Sequence, residues 1–405
     1  MSVLQALTSI MTFRFAVVPA AAIVAGLLMT SYFMAADAEG RALSFSLLSG
    51  AAFGIVLQRG RFCFLCNFRD LFERRRSDGV IAILIALGAG AILYQIVITA
   101  WMPVPLEGRL PPTAHVGPAG SILALAALVF GMGMALSGSC LSAHFYRLGE
   151  GAFGSLAAIG GAGVGFLLGF ITWPALYTVM MFDDPPLWLP HHLGYAGSLI
   201  STITALLLLG LIAAKIAPMT SRSQNWETTS SSLLQTIFSF RWPPVVTGIL
   251  IATISAVAYF RVAPLGVTAE LGSIVRTAGT RLAILPTGLP GLDTLRGCIS
   301  AVKEGVVSPN GVFVCGLVLA SFSSALIAGQ FKPSWPPLRG LFMRIIGGIM
   351  MGWSSMIALG CTVGVLLSGI HAGAASGWIF LVFCTIGAWA GLAATRSLAA
   401  RKSGL

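Results

Sequence analysis

Two cysteines three residues apart, Cys63 and Cys66, stand among six arginines in "QRGRFCFLCNFRDLFERRR", residues 58–76. Two more, Cys140 and Cys361, close the stretches "GMGMALSGSC" and "GWSSMIALGC". A thiol with an ordinary pKa of about 8.5 is mostly protonated at neutral pH and donates a weak, soft hydrogen bond. Such a donor suits a large polarizable anion better than a hard cation does. Cys140 follows Gly138 and Ser139, and Cys361 follows Gly360, at the end of a long apolar run. A short helix starting there would aim free N–H groups and its positive dipole end at whatever fills the gap, again favouring an anion. The competing reading is structural, since small residues also mark places where membrane helices pack closely.

Other residues near these thiols carry candidate chemistry. Arg61 and Arg69 flank Cys63 and Cys66 and are candidates for contact with an anion, as is Arg147 in "CLSAHFYRLGEG". Asp70 is placed to neutralise Arg69. Arg74, Arg75 and Arg76 read as topology signals. The spacing of Cys63 and Cys66 also fits a redox pair. No thioredoxin-like strand pattern surrounds it, and two cysteines at helical spacing can simply share a face. His144 stands four residues after Cys140 with Glu150 nearby, yet these complete no tetrahedral ligand set. No metal and no cofactor is expected. Cys315 and Cys384 lie in ordinary apolar runs and read as small hydrophobes. His191 and His192 fall in a proline-rich loop and read as solvated.

The elements that must position these residues are transmembrane helices. Of 405 residues 57% are hydrophobic and 9% charged, against about a quarter charged in soluble domains. Apolar runs near the length a bilayer needs, about 20 residues, occupy 13–35, 43–58, 80–101, 119–137, 152–173, 195–214, 245–260, 311–329, 341–360 and 376–395. The run 43–58 is short. The net charge of +11 follows from positive-inside loops and implies no nucleic-acid partner. Basic loops at 59–79, 215–242 and 330–344 and a basic tail alternate with the neutral, acidic or proline-rich segments 36–40, 102–117 and 182–192. Ten spans with both termini cytoplasmic satisfy all of them, in a multi-pass protein of the cell inner membrane.

The chain reads as all-α, with two related halves. A glycine lies nine residues before each of Cys140 and Cys361, at Gly131 and Gly352, and a glycine-rich turn follows each. Matching 43–58 with 245–260 puts the repeats five spans apart. An odd offset inverts them, the plan of many transporters. The expected division is a leading helix in 1–42, a first repeat in 43–194 with Cys63 and Cys140, a connecting helix and polar linker in 195–242, and a second repeat in 243–405 with Cys298 and Cys361. The stretch 263–310 carries Arg276, Arg281, Arg296 and Lys303 and is too interrupted for a regular span. It reads as broken or re-entrant helices, tolerated at membrane depth only against protein or a water-filled path.

Three segments, "GIVLQRGRFCFLCNFRDLF", "GMGMALSGSCLSAHFYRLGEGAFGSL" and "ALGCTVGVLLSGIHAGAASGWIF", resemble the YeeE/YedE membrane proteins, the sulfur-transport family, and the resemblance runs from about Leu43 to the C-terminus. It implies a thiosulfate-uptake fold with inverted repeats and an hourglass-like interior. It further implies that Cys63, Cys140 and Cys361 line a narrow path and pass the substrate along by S–H contacts, with Cys298 as a further counterpart. A small cytoplasmic sulfur-carrier protein is the implied partner, besides the lipid bilayer and the anion. The extra Cys66, the 263–310 excursion and the leading span depart from the simplest pattern. Thiosulfate transport, with no enzymatic activity, is therefore expected. The alternatives are a sulfur-transfer redox protein using Cys63 and Cys66, and a carrier of metal ions or of a selenium compound.

Overall fold

The computed structural model describes residues 3–38, 40–106, 108–181, 184–217, 240–292, 302–303 and 307–403. The polar linker 218–235 and Cys298 lie outside the described residues. All described elements are helical, with no strand among the described residues. Ten helices are long and apolar enough to cross a membrane, and each coincides with one of the ten apolar runs. The protein is a multi-pass membrane protein.

In chain order the helices are α1 (Val3–Met34), α2 (Gly40–Gly60), α3 (Phe64–Glu73), α4 (Asp78–Trp101), α5 (Ser121–Ser137), α6 (Leu141–Gly149), α7 (Gly154–Leu176), α8 (Leu189–Ile216), α9 (Pro244–Arg261), α10 (Val267–Arg281), α11 (Pro309–Ile327), α12 (Leu338–Ile357), α13 (Thr362–His371) and α14 (Ala375–Ser403). α2 is longer than its apolar run because its first turn takes in Gly40 and Arg41 and its last turn the Gln58–Gly60 stretch. α8 starts at Leu189, so His191 and His192 lie on its first turn rather than in a loop; the His191 ring bonds the Arg109 carbonyl at 3.1 Å. The 263–310 stretch begins as α10 and then breaks into turns at 282–292.

α5 and α12 pack against each other at the centre. α5 also packs on α14, and α12 on α7. A second layer sets α2 against α11 and α4 against α9. α1 covers α11, α8 covers α4, and these two are the least buried spans. Exchanging every span for the one five spans away maps these pairings onto each other: α5–α14 onto α12–α7, α2–α11 onto α9–α4, and α1–α11 onto α8–α4. The short helices follow, since α6 lies on α11 and α13 on α4.

The close approach of α12 to α7 and of α5 to α14 depends on glycine. A side-chain carbon on Gly352 would run into the Ala162 carbonyl, and one on Gly131 into the Cys384 carbonyl. Apolar side chains such as Tyr32, Val179, Leu207 and Trp389 are exposed around the outside, as a hydrocarbon solvent requires.

One end of the bundle gathers the basic residues. There Arg75 donates to the Ile216 carbonyl at 3.1 Å, Arg396 to Glu73 at 2.7 Å, and the Trp242 amide to the Arg59 carbonyl at 3.3 Å. The opposite end is closed by neutral contacts: Trp188 Nε1 donates to the Ala372 carbonyl at 2.7 Å and the Tyr259 hydroxyl to the Pro112 carbonyl at 2.9 Å.

Candidate functional site

The cysteines share one local construction. In three places a helix stops at a left-handed residue, and the cysteine two positions later is extended and starts a short helix. Arg61 (φ 47°) precedes Cys63 and α3; Gly138 (φ 86°) precedes Cys140 and α6; Leu359 (φ 61°) precedes Cys361 and α13. Left-handed backbone reverses the chain and is easy only for glycine, so Arg61 and Leu359 are held there by their surroundings. Cysteine is a poor N-cap, because serine, threonine, aspartate and asparagine offer far better acceptors to the orphan amides of a first turn. Neither Cys63 nor Cys140 makes a regular side-chain cap bond, while Cys361 Sγ accepts from the Val363 amide at 3.4 Å.

These three turns meet inside the protein. Cys63 and Cys361 are fully buried and Cys140 nearly so. The Cys63 thiol has those of Cys140 and Cys66 as neighbours, and the Cys140 sulfur faces the amides of Phe64 and Ala143. The sulfur of Cys140 therefore sits between the starts of α3 and α6. On the other side, the Ser142 hydroxyl lies 3.9 Å from Cys361 Sγ, so α6 and α13 touch through that pair. Cys384 is buried within electrostatic range of Cys361, whereas Cys315 is exposed on the outside of the bundle rather than buried.

Arg147 brings charge to this cluster. Its guanidinium donates to Cys66 Sγ at 3.2 Å, bonds the Tyr146 hydroxyl and lies within electrostatic range of Cys63. Arg61 is exposed at the break after α2, where it faces Glu150. Arg69 is within electrostatic reach of Cys66 but points toward Glu73, at 3.9 Å; Asp70 pairs with Arg74 instead. The two carboxylates sort this way because both pairs span one helical turn, i to i+4.

Between the thiols and the basic end lies a polar layer that the sequence did not announce. The Gln58 amide donates to Gln330 Oε1 at 2.8 Å and to Glu150 Oε1 at 3.3 Å, and it accepts from the Ser324 hydroxyl at 2.9 Å. The Arg59 guanidinium donates to the Ser324 hydroxyl and carbonyl, each at 3.0 Å. Burial pushes the Glu150 carboxyl above the usual carboxylate range, against the pull of Arg61, Arg147 and Arg241. At the opposite end His371 is buried, its ring bonding the Ala86 carbonyl at 3.1 Å and the Ser255 hydroxyl at 3.4 Å. A small recess of about 20 Å³ opens there, lined by His371 with Gln95, Trp188, Tyr195, Ser198 and Thr202, and no lysine or arginine stands on its wall.

Thiols and amides at helix starts, with one guanidinium beside them, lie within the ten apolar spans of a polytopic membrane protein. The chain belongs to the sulphur transport family, whose model matches residues 59–390. It is 25% identical over 369 residues to the thiosulfate transporter TsuA of Escherichia coli (strain K12), covering 85% of this chain and 92% of that one. It is 28% identical over 358 residues to the thiosulfate transporter TsuA of Spirochaeta thermophila, covering 85% and 96%. A shorter match, 32% identical over 83 residues, covers 20% of this chain and 21% of the probable transporter YedE of Escherichia coli (strain K12).

Proposed function

We propose that this protein carries thiosulfate, or a closely related sulfur anion, across the cell inner membrane through a path lined by the thiols of Cys63, Cys140 and Cys361. The observation that carries this reading is the threefold use of cysteine as the first residue of a short helix. Each turn offers a soft S–H donor together with first-turn amides that no strong side-chain acceptor occupies. Thiosulfate has a large, polarizable terminal sulfur and three oxygens, so it takes both kinds of donor. Several weak contacts replace its hydration shell without trapping it, which conduction requires. Covalent capture at each thiol would need a resolving step in every cycle. The chain acts as a transporter, not an enzyme.

In this reading the two groups of five spans are inverted repeats, with α1 and α8 as equivalent first spans, and the thiols form the waist of an hourglass-like interior. The basic end faces the cytoplasm with both termini, as the distribution of arginine and lysine favours. Arg147 is the fixed positive charge beside the waist, and Arg61 collects the anion at the mouth. Arg69, tied to Glu73, contributes long-range attraction only. Cys298 is assigned to the same path by its place in the second half. A small sulfur-carrier protein with an acidic surface would meet the exposed Arg74 and Arg75 at that mouth.

The test is uptake of labelled thiosulfate by cells expressing the chain. Cys140→Ala and Cys361→Ala are each expected to reduce uptake to the level of cells without the chain. Undiminished uptake in both variants overturns the thiol path.

A further inference from the structure

Cys66 is not needed to explain the shared turn, since it stands inside the first turn of α3 and has no equivalent after Cys140 or Cys361. Its surroundings are nonetheless specific. Arg147, from a helix 81 residues further along the chain, donates to Cys66 Sγ at 3.2 Å, and the Cys63 thiol is its neighbour within the same helix start. Cys66 is partly accessible while Cys63 is fully buried. A guanidinium on one sulfur holds the charge of a thiolate formed there, and a buried second thiol in contact is placed to resolve a mixed disulfide.

We propose that Cys66 and Cys63 form an oxidisable pair that tetrathionate, the S–S-linked dimer of thiosulfate, converts to an intrachain disulfide that closes the path. The closing effect rests on the transport reading above; the thiol chemistry does not. The Cys66 thiolate attacks an inner sulfur of tetrathionate. Its proton passes to water at the basic end, one S–S bond breaks, thiosulfate leaves, and a Cys66–S–S–SO₃⁻ adduct remains. Cys63 then loses its proton, attacks the Cys66 sulfur and expels a second thiosulfate. In sum, two thiols and one tetrathionate give one disulfide, two thiosulfates and two protons, so the cysteines lose two electrons and tetrathionate gains them. The dianionic oxidant is drawn by the charges that attract the substrate, Arg147 and Arg61. The product removes the S–H donor of Cys63 and joins the residue that caps α3 to the third residue of that helix.

Both cysteines fall in one tryptic peptide, 62–69, bounded by Arg61 and Arg69. Membranes holding the full-length protein are treated with tetrathionate, denatured, alkylated and digested. The expected result is an unalkylated 62–69 peptide lighter by two hydrogens, restored to doubly alkylated form by dithiothreitol. A doubly alkylated peptide after treatment, or a disulfide joining Cys63 to the Cys140 peptide, overturns the proposal. In parallel, thiosulfate uptake of treated vesicles is expected to fall to background and return with dithiothreitol, while Cys66→Ser loses none of whatever uptake it has. Loss of uptake on treatment in Cys66→Ser equal to that of the parent overturns the closing role. Absence of any thiosulfate uptake in untreated parent vesicles would instead remove the transport reading and leave the peptide result to decide the thiol pair.

Discussion

The segments after Cys140 and after Cys361 begin alike and end differently. Both cysteines follow a left-handed residue, both start a short helix, and each helix lies against the equivalent span of the opposite half. Seven residues on, the first has Arg147 and the second Ser368; ten residues on, the first has Glu150 and the second His371. Arg147 reaches the thiol cluster, whereas the Ser368 hydroxyl turns back to the Val363 carbonyl at 3.1 Å. Between these two segments the cysteine turn is thus shared, and the fixed positive charge belongs to the first alone. In the proposed path, an anion meets equal donors from both sides but an electrostatic slope toward the basic end, which at low local dielectric outweighs a difference of one weak hydrogen bond.

The largest effect is expected where the two segments are most alike. Gly131→Leu and Gly352→Leu each push a branched side chain into a backbone carbonyl of a facing span. Overpacking costs about 1–3 kcal/mol when the neighbours can yield and more when they are backbone. Both variants should give little monodisperse protein on size-exclusion chromatography in detergent, and to a similar degree. Loss in one alone would break the equivalence of the halves.

Next comes the charge that only one segment carries. Arg147→Gln should raise the KM for thiosulfate by roughly ten- to a hundredfold, since a hydrogen bond to a charged group contributes about 1.5–3 kcal/mol. Ser368→Ala should leave KM within about twofold, because its buried hydroxyl is spent on the Val363 carbonyl of its own helix and its loss removes no charge. Equal effects in labelled-thiosulfate uptake would sink the asymmetry.

The smallest effect concerns pH. Burial pushes His115, in the loop between α4 and α5, down to about 4, and its ring is almost fully buried. The folded state therefore keeps it neutral while the unfolded chain takes up a proton near pH 6.5. Its contribution to stability is present above about 6.5 and is lost as pH falls toward 4. Glu150, raised by burial, has the opposite sign: it favours the folded state at acid pH and opposes it once ionised. Thermal melts should show His115→Phe flattening the loss of Tm on acidification and Glu150→Gln raising Tm at neutral pH. A parent melt that does not change between pH 7 and pH 4 contradicts the His115 half of this.

Much of this was legible in the sequence. Ten apolar runs became ten spans because hydrocarbon leaves the backbone few alternatives to a helix of that length. The cysteine turns could be located from Gly138, Ser139 and Gly360, which break a helix wherever they fall next to one another. Arg61 gave no such signal, because a non-glycine residue in left-handed backbone is chosen by its neighbours and not by its type. The contact of Arg147 with Cys66 was equally invisible: the two come from α6 and α3, and only the fold, with α6 against α11 and α3 against α4, brings them together. The pairing of Arg69 with Glu73, one helical turn away, was legible from the i to i+4 spacing alone. The Gln58, Ser324 and Gln330 layer joins residues more than 260 positions apart and needed the fold to be seen.

Among the described residues one charge pair sits apart from all of this. Lys303 meets Glu270 of α10, and the Ser308 hydroxyl, which also receives the Gly311 amide, donates to the same carboxylate at 2.7 Å. A carboxylate or ammonium left alone in an apolar interior costs several kcal/mol, so α10 and the residues just ahead of α11 settle against the bundle as one unit. Loss of either charge strands the other.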